Sequence, residues 1–191
     1  LAGGFGLVFP ALDPCVQRRV AIKVPKPEFL DDRSQIERFT REACACSRLD
    51  HGNILPILES HFDGIMPFIV MPWVTGPTLA FWRRSVADLK PETVADIVRQ
   101  LAEGVAHAHE RGVLHRDIKP GNILLAPADP NSCSPDFPFV PQLADFGLAR
   151  FEDADSPSTT AGTILGTVGY MAPEQRRGQR ELIGPASDIY S

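Results

Sequence analysis

The 191-residue chain has little that would fit it to a membrane, an oxidising compartment or a nucleic acid. No apolar run approaches the roughly 20 residues that a spanning helix needs. No basic-then-apolar leader stands at the N-terminus. Positive charge is scarce: 19 Lys and Arg against 24 Asp and Glu leave a net charge of −5, which argues against a nucleic-acid or anionic-membrane partner. Cysteine is limited to Cys15, Cys44, Cys46 and Cys133. These positions make no disulfide framework, and Cys44 and Cys46, two apart in a helical pattern, point to different faces. They read as reduced thiols of a cytoplasmic protein. No internal repeat is visible. What remains is an ordinary globular composition, 43% hydrophobic and 23% charged, long enough for one large domain or two small lobes. The chain starts with Leu1 inside a glycine-rich run and stops at Ser191 as an apolar segment opens. Both ends read as cut, and flanks with a membrane anchor are compatible with that.

One stretch concentrates polar chemistry: His115-Arg116-Asp117-Ile118-Lys119-Pro120-Gly121-Asn122, followed at once by Ile123-Leu124-Leu125. Charges set against an apolar run predict a reactive loop at the edge of a strand. Upstream, Leu7–Phe9 and Val20–Val24 predict two strands separated by a turn at Asp13-Pro14. Gly3-Gly4-Phe5-Gly6 precedes them; such a turn lets backbone N–H groups approach phosphate oxygens, although a flexible hairpin tip is the plainer reading. Ile36, Phe39, Ala43, Cys46 and Leu49 recur at helical spacing over 34–49. Glu42 lies beside that stripe, and Lys23, at the end of an apolar strand, is its candidate partner. Ile54–Leu58 and Pro67–Met71 predict two more strands, and Thr75-Gly76-Pro77 a linker.

Thr78–Ser85 predicts a short helix, and 91–110 a long one with Pro91 at its first position. The apolar face of the long helix is Val94, Ile97, Val98, Leu101, Val105 and Ala108. His107 and His109 read as packing or surface residues, not metal ligands. Residues 126–139 are proline-rich and predict a surface loop. Val140–Ala144 then leads to Asp145-Phe146-Gly147.

Taken in order, Gly3–Val8, Val20-Ala21-Ile22-Lys23, Glu42, His115-Arg116-Asp117 with Asn122, Asp145-Phe146-Gly147 and Ala172-Pro173-Glu174 resemble the eukaryotic-type (Hanks-type) protein kinase family. Lys119, two residues after Asp117, resembles the serine/threonine subgroup. Gly166-Thr167 with Tyr170-Met171-Ala172-Pro173-Glu174-Gln175 resembles its bacterial members. The resemblance implies an α+β, two-lobed fold. Residues 1–74 would be an antiparallel-sheet lobe with one helix, ending in the hinge. Residues 75–191 would be a mainly helical lobe that stops at the start of its central helix.

The implied activity is transfer of the γ-phosphoryl group of ATP to protein hydroxyls, with Mg²⁺. The alternative is a catalytically silent pseudokinase scaffold. Such a scaffold usually lacks one of the residues matching Lys23, Asp117, Asn122 and Asp145, and all four are present. By the same resemblance Asp117 accepts the substrate hydroxyl's hydrogen bond, Lys119 offsets charge on the transferring group, and Asn122 and Asp145 ligate the metal. Gly3, Gly4, Phe5 and Gly6 cover the phosphates. Lys23, fixed by Glu42, holds them. Val8 and Ala21 roof the base and Leu124 floors it, with Met71 at the back of the pocket and Pro72-Trp73-Val74 as the hinge. The partners are a protein with a Ser/Thr acceptor and a second copy during autophosphorylation, the latter at Thr159, Thr160 or Thr163, whose phosphate Arg116 would bind. Thr167 would shape the substrate site. Departures include Leu1 at the first glycine of the loop, Gly52 in place of a proline, Cys46 in place of a larger aliphatic, and a 23-residue step from Asn122 to Asp145 (145 − 122). Alone, residues 1–191 are expected to be poorly soluble and inactive.

Overall fold

The computed structural model describes residues 6–64, 66–130, 136–146 and 168–191. β1 (Gly6–Asp13) and β2 (Arg18–Pro25) pair antiparallel from Gly6↔Pro25 to Asp13↔Arg18. Asp13 closes the turn by accepting from the Cys15 and Val16 backbone N–H groups, as an Asx turn does. β2 pairs with β4 (Phe68–Pro72), and β3 (Glu59–His61) forms the outer edge, giving the order β1-β2-β4-β3. Cross-strand partners share a face. The pairs Val8↔Lys23, Ala21↔Met71 and Lys23↔Ile69 therefore put Val8, Ala21, Lys23, Ile69 and Met71 on one side of the sheet.

A short helix, α1 (Pro27–Leu30), leads to α2 (Arg33–Cys46), whose N-cap Asp32 accepts from the Ser34 and Gln35 N–H groups. α2 turns Phe39 and Ala43 into the sheet, where they pack with Ala21, Ile69 and Met71. Burying a phenylalanine of this kind stabilises the fold by about 1.5–3 kcal/mol.

The segment Ile54–Leu58, expected as a strand, is not one. Ile54 makes a single parallel bridge to Leu143, through Leu143 N–H to the Asn53 carbonyl (2.8 Å) and Leu55 N–H to the Leu143 carbonyl (2.9 Å). Pro56 has no N–H to extend a ladder. Regular pairing resumes only where Leu58 N–H meets the Val70 carbonyl.

α3 (Leu79–Ser85) is capped by Thr78 Oγ1, and α4 (Pro91–Glu110) follows it. β5 (Ile123–Pro127) and β6 (Phe139–Leu143) form an antiparallel hairpin. Ile97, Val105 and Ala108 of α4 pack with Ile123, Leu125, Leu143 and Phe146, and with Leu49 and Ile54 from the first half of the chain. The apolar stripe of α4 is narrower than expected: Val94 and Val98 are 41% and 58% exposed. Gly104 continues its buried side, where a Cβ would stand 3.2 Å from the Asn53 carbonyl oxygen.

The proline-rich segment 126–139 is not wholly a surface loop. Phe137 is buried edge-to-face on Trp82 of α3, with ring centroids 5.1 Å apart, and Asp136 pairs with Lys90 at 2.8 Å. Residues 131–135 of that segment, with Cys133, lie outside the described residues. Two short helices, α5 (Pro173–Arg176) and α6 (Pro185–Tyr190), complete the chain. The architecture is the kinase-like one the resemblance implied, an antiparallel sheet with one main helix followed by a largely helical half. No helix among the described residues is long and apolar enough to cross a membrane.

Candidate active site

The charged stretch 115–122 is held from both sides. His115 is buried at 1% exposure with its ring against Phe146. Its Nδ1 accepts the Asp117 N–H (3.3 Å), so the proton sits on Nε2, which donates to the Ala144 carbonyl (3.0 Å). Burial depresses the imidazole pKa and favours this neutral form. From α6, the buried Asp188 accepts the His115 N–H (2.8 Å), the Arg116 N–H (2.6 Å) and a bond from His109 Nε2 (2.8 Å). These bonds hold Arg116 at φ +64°, a left-handed conformation unfavourable for its side chain. From α5, Gln175 Nε2 donates to the Arg116 carbonyl (2.8 Å) while its Oε1 accepts the Ala172 N–H.

The clamped loop gathers three of the expected residues. Asp117 Oδ2 pairs with Lys119 Nζ at 2.7 Å and accepts from Asn122 Nδ2 at 2.9 Å. The same amide nitrogen donates to the Asp117 carbonyl at 2.8 Å. With both amide protons directed at Asp117, the remaining polar atom of Asn122 is the oxygen Oδ1. Ala144 N–H meets the Asn122 carbonyl at 2.8 Å, which ties the start of β5 to the residue preceding Asp145. Asp145 is at φ +63°, and its Oδ1 pairs with Lys23 Nζ at 2.7 Å. The Lys23 ammonium holds the Asp145 carboxyl below the usual carboxylate range against the opposing effect of burial.

Lys23 itself is 1% exposed, and its partner differs from the one expected. Glu42 does not fix it. Glu42 Oε1 pairs instead with Arg38 Nε, one turn back on α2, at 3.5 Å. The reason is local: Asp145 occupies the buried ammonium, while an arginine four residues earlier lies within reach of Glu42. Burial pushes the Glu42 carboxyl up, opposed by Arg38 and Arg116.

Gly3, Gly4 and Phe5 lie outside the described residues. Gly6 belongs to β1 rather than to a turn, and a Cβ there would stand 2.8 Å from the Val24 carbonyl oxygen and 3.0 Å from Lys23 Cε. Its glycine identity makes room for the lysine stem. Val8 and Ala21 share a sheet face with Lys23, and Met71 lies opposite Ala21. Pro72 ends β4, Val74 is half-buried, and Leu124 makes an isolated antiparallel bridge to Thr78. Gly76 passes so close to the Leu125 carbonyl that any Cβ would overlap it. Behind Met71 a small cavity is bounded by Cys46, Ile57, Ile69, Asp145 and Phe146. Burial pushes the Cys46 thiol up to about 12.

Thr159, Thr160, Thr163 and Thr167 lie outside the described residues, as does Gly147. His109 and His107 are packing residues as expected: His109 bonds Asp188, and the His107 ring faces His51 at 5.1 Å. Among the described residues no three His, Cys, Asp or Glu side chains form a metal cluster. Sequence reasoning missed Asp188 and Gln175 as supports of the loop. The available signal for Asp188 was an aspartate at the opening of an apolar helix, which demands buried donors.

The protein kinase domain family matches residues 2–191. The chain is 36% identical over 194 residues to the serine/threonine-protein kinase PknA of Mycobacterium tuberculosis, covering 99% of this chain and 42% of that protein. It is 36% identical over 189 residues to the serine/threonine-protein kinase PrkC of Bacillus subtilis, covering 99% and 27%. It thus spans well under half the length of these curated relatives. The crystal structure of the M. tuberculosis PknI kinase domain aligns with a TM-score of 0.67 at 29% identity, covering 98% of this chain and 64% of that one. With the clamped Asp117 loop, the Lys23–Asp145 pair and a family match over nearly its whole length, the chain belongs to the protein kinase domain family.

Proposed function

We propose that the protein is a serine/threonine protein kinase that transfers the γ-phosphoryl group of ATP to a protein hydroxyl, with Asp117 as the catalytic base. The observation that carries this is the convergence of Asp117, Lys119 and Asn122 on one carboxylate oxygen, tied through Ala144 to Asp145 and Lys23. Phosphoryl transfer through a loose transition state needs positioning and charge neutralisation more than a strong base. Asn122 and Lys119 orient the Asp117 carboxylate, so that it accepts the acceptor hydroxyl's hydrogen bond and aims its oxygen in line. As the new O–P bond forms, the hydroxyl proton passes to Asp117. The bond to the bridging oxygen breaks, and its electron pair leaves on ADP. Lys119 offsets the negative charge of the transferring group.

Lys23 is held for the nucleotide phosphates. Before they bind, Asp145 keeps its buried ammonium paired, which avoids the cost of an isolated buried charge. The pocket for the base is assigned to Val8, Ala21, Met71, Pro72, Val74 and Leu124, and the phosphate cover to Gly3, Gly4, Phe5 and Gly6. Pro72 lacks an N–H but keeps the carbonyl acceptor that a hinge uses. The donor chemistry also fits Mg²⁺, which takes one or two protein oxygens together with phosphate oxygens. Asn122 Oδ1 and the Asp145 carboxylate would hold it, and when bound it neutralises phosphate charge. Glu42 is assigned to Lys23 in the nucleotide-bound enzyme, which requires it to leave Arg38.

The test is transfer of labelled phosphate from ATP by the full-length protein, alongside Lys23→Met and Asp117→Asn. Label on Ser or Thr in the wild type and none in either variant is expected. Equal labelling in all three would refute the assignment.

A further inference from the structure

The catalytic loop is flanked by two short helices whose exposed ends carry the same charge. α3 packs against Pro120–Asn122 at the end of the loop. α5 is bound to its start through the Gln175–Arg116 bond. Each helix places two consecutive arginines in solvent at its C-terminal end: Arg83-Arg84 on α3, and Arg176-Arg177 at the end of α5. Arg83 directs Nη1 to the Val86 carbonyl at 2.8 Å, and both guanidinium groups on α3 remain exposed. No carboxylate occurs anywhere from Val74 to Ala87. On α5 the one carboxylate is Glu174, which accepts from Ser187 Oγ and also feels Arg177. In a chain of net charge −5, the two borders of the catalytic loop are therefore locally positive. Charge elsewhere on the chain is screened beyond about 8 Å at physiological salt, so an approaching segment responds to these arginines rather than to the total.

We infer that the substrate segment is acidic, with aspartate, glutamate or phosphorylated side chains on both sides of the accepting Ser or Thr. The inference rests on the kinase reading for the acceptor and on the two arginine pairs for the flanks. An extended peptide rises about 3.3 Å per residue, so a segment lying across the loop presents side chains several residues from its acceptor to each helix. Arginine suits this role because its planar fork matches a carboxylate or phosphate in two parallel bonds. Basic flanks meet like charge at both ends and are rejected.

The test uses the full-length protein and three threonine peptides that differ only in their flanks: Glu, Ala or Arg on both sides. Binding is read by fluorescence anisotropy at 50 and 300 mM NaCl, and phosphate transfer is read in parallel. An exposed ion pair is worth a factor of about 1.5 to 5, so two or more pairs make the Glu peptide roughly tenfold tighter than the Ala peptide at low salt. That advantage shrinks at high salt. The double variants Arg83→Glu/Arg84→Glu and Arg176→Glu/Arg177→Glu each weaken Glu-peptide binding and raise its KM. They leave kcat and Ala-peptide binding unchanged, which separates the effect from loss of fold. Equal binding of the Glu and Ala peptides, a preference for Arg, or a Glu preference untouched by both double variants overturns the inference. A Glu preference without phosphate transfer supports the inference and counts against the kinase reading.

Discussion

Replacing Asp188 by Asn removes one of the two oxygens on which the Asp117 loop hangs. The carboxylate accepts Arg116 N–H at 2.6 Å on Oδ1, and His115 N–H and His109 Nε2 at 2.8 Å on Oδ2. A hydrogen bond to a charged acceptor is worth about 1.5–3 kcal/mol. An amide in the same place sets its NH₂ against at least one of these donors, in a pocket where Asp188 is only 4% exposed. The net loss is about 2–4 kcal/mol. For a domain of 150–250 residues this lowers Tm by roughly 4–16 °C. Function falls further than stability. Arg116 at φ +64° is held in a conformation that costs its side chain about 1–2 kcal/mol, and a loosened tether lets that turn relax and carry Asp117 with it. A displacement near 1 Å at a reacting group costs on the order of 10²-fold in rate. Thermal denaturation of the full-length variant, with phosphotransfer measured well below its transition, checks both quantities. A Tm within 2 °C of wild type (about 1 kcal/mol or less) together with an unchanged rate would show that Asp188 does not tether the loop.

Three further outcomes follow from named contacts. The His115 pKa is depressed by burial, so the unfolded chain binds its proton more tightly than the folded one. Stability from this residue is full above the unfolded histidine pKa of about 6.5 and declines as pH falls below it, by at most about 1.4 kcal/mol per pH unit. Urea melts between pH 7.5 and 5 should show a smaller loss in His115→Asn, because the buried imidazole no longer titrates; the loss that remains comes from the depressed His107, while Asp145 acts only in the acid range; an unchanged slope would count against a neutral His115. Cys46, with its thiol pushed up to about 12, should resist iodoacetamide at pH 8 until the protein is denatured, while the exposed Cys15 and Cys44 react at once, as peptide mass spectrometry will read. Gly76→Ala drives a Cβ into the Leu125 carbonyl and should cost about 2 kcal/mol or more, with weakened nucleotide binding because the Thr78–Leu124 bridge moves with it; an unaltered melt would exclude the close approach.

What the residues revealed in advance depended on whether the deciding partner was near in sequence. α4 was legible because Pro91 and a three- and four-residue apolar recurrence are local properties, and its ends match the structure. The grouping of Asp117, Lys119 and Asn122 was legible for the same reason, since six residues hold it. Ile54–Leu58 misled because a run of apolar side chains also suits a segment that crosses a core: Ile54 is 2% exposed, yet among the described residues it bridges only Leu143. Phe137 was hidden among prolines, and only the position of Trp82 reveals where its ring goes. The Lys23 pairing turns on a competition between two carboxylates, Glu42 and Asp145, and composition does not decide that. Arg38, four residues before Glu42, was the overlooked competitor. Asp188 gave only a local hint, an aspartate opening an apolar segment; two of the three donors described for it are backbone N–H groups more than seventy residues earlier, so its partners did not show.

In the proposed reaction Asp117 acts on the acceptor hydroxyl and not on the nucleotide. The direct test measures nucleotide affinity and phosphotransfer rate on one preparation of full-length Asp117→Asn. The expected result is an unchanged nucleotide Kd with kcat lower by about 10²- to 10⁴-fold. A wild-type rate, or a rate lost only in step with nucleotide binding, would contradict it.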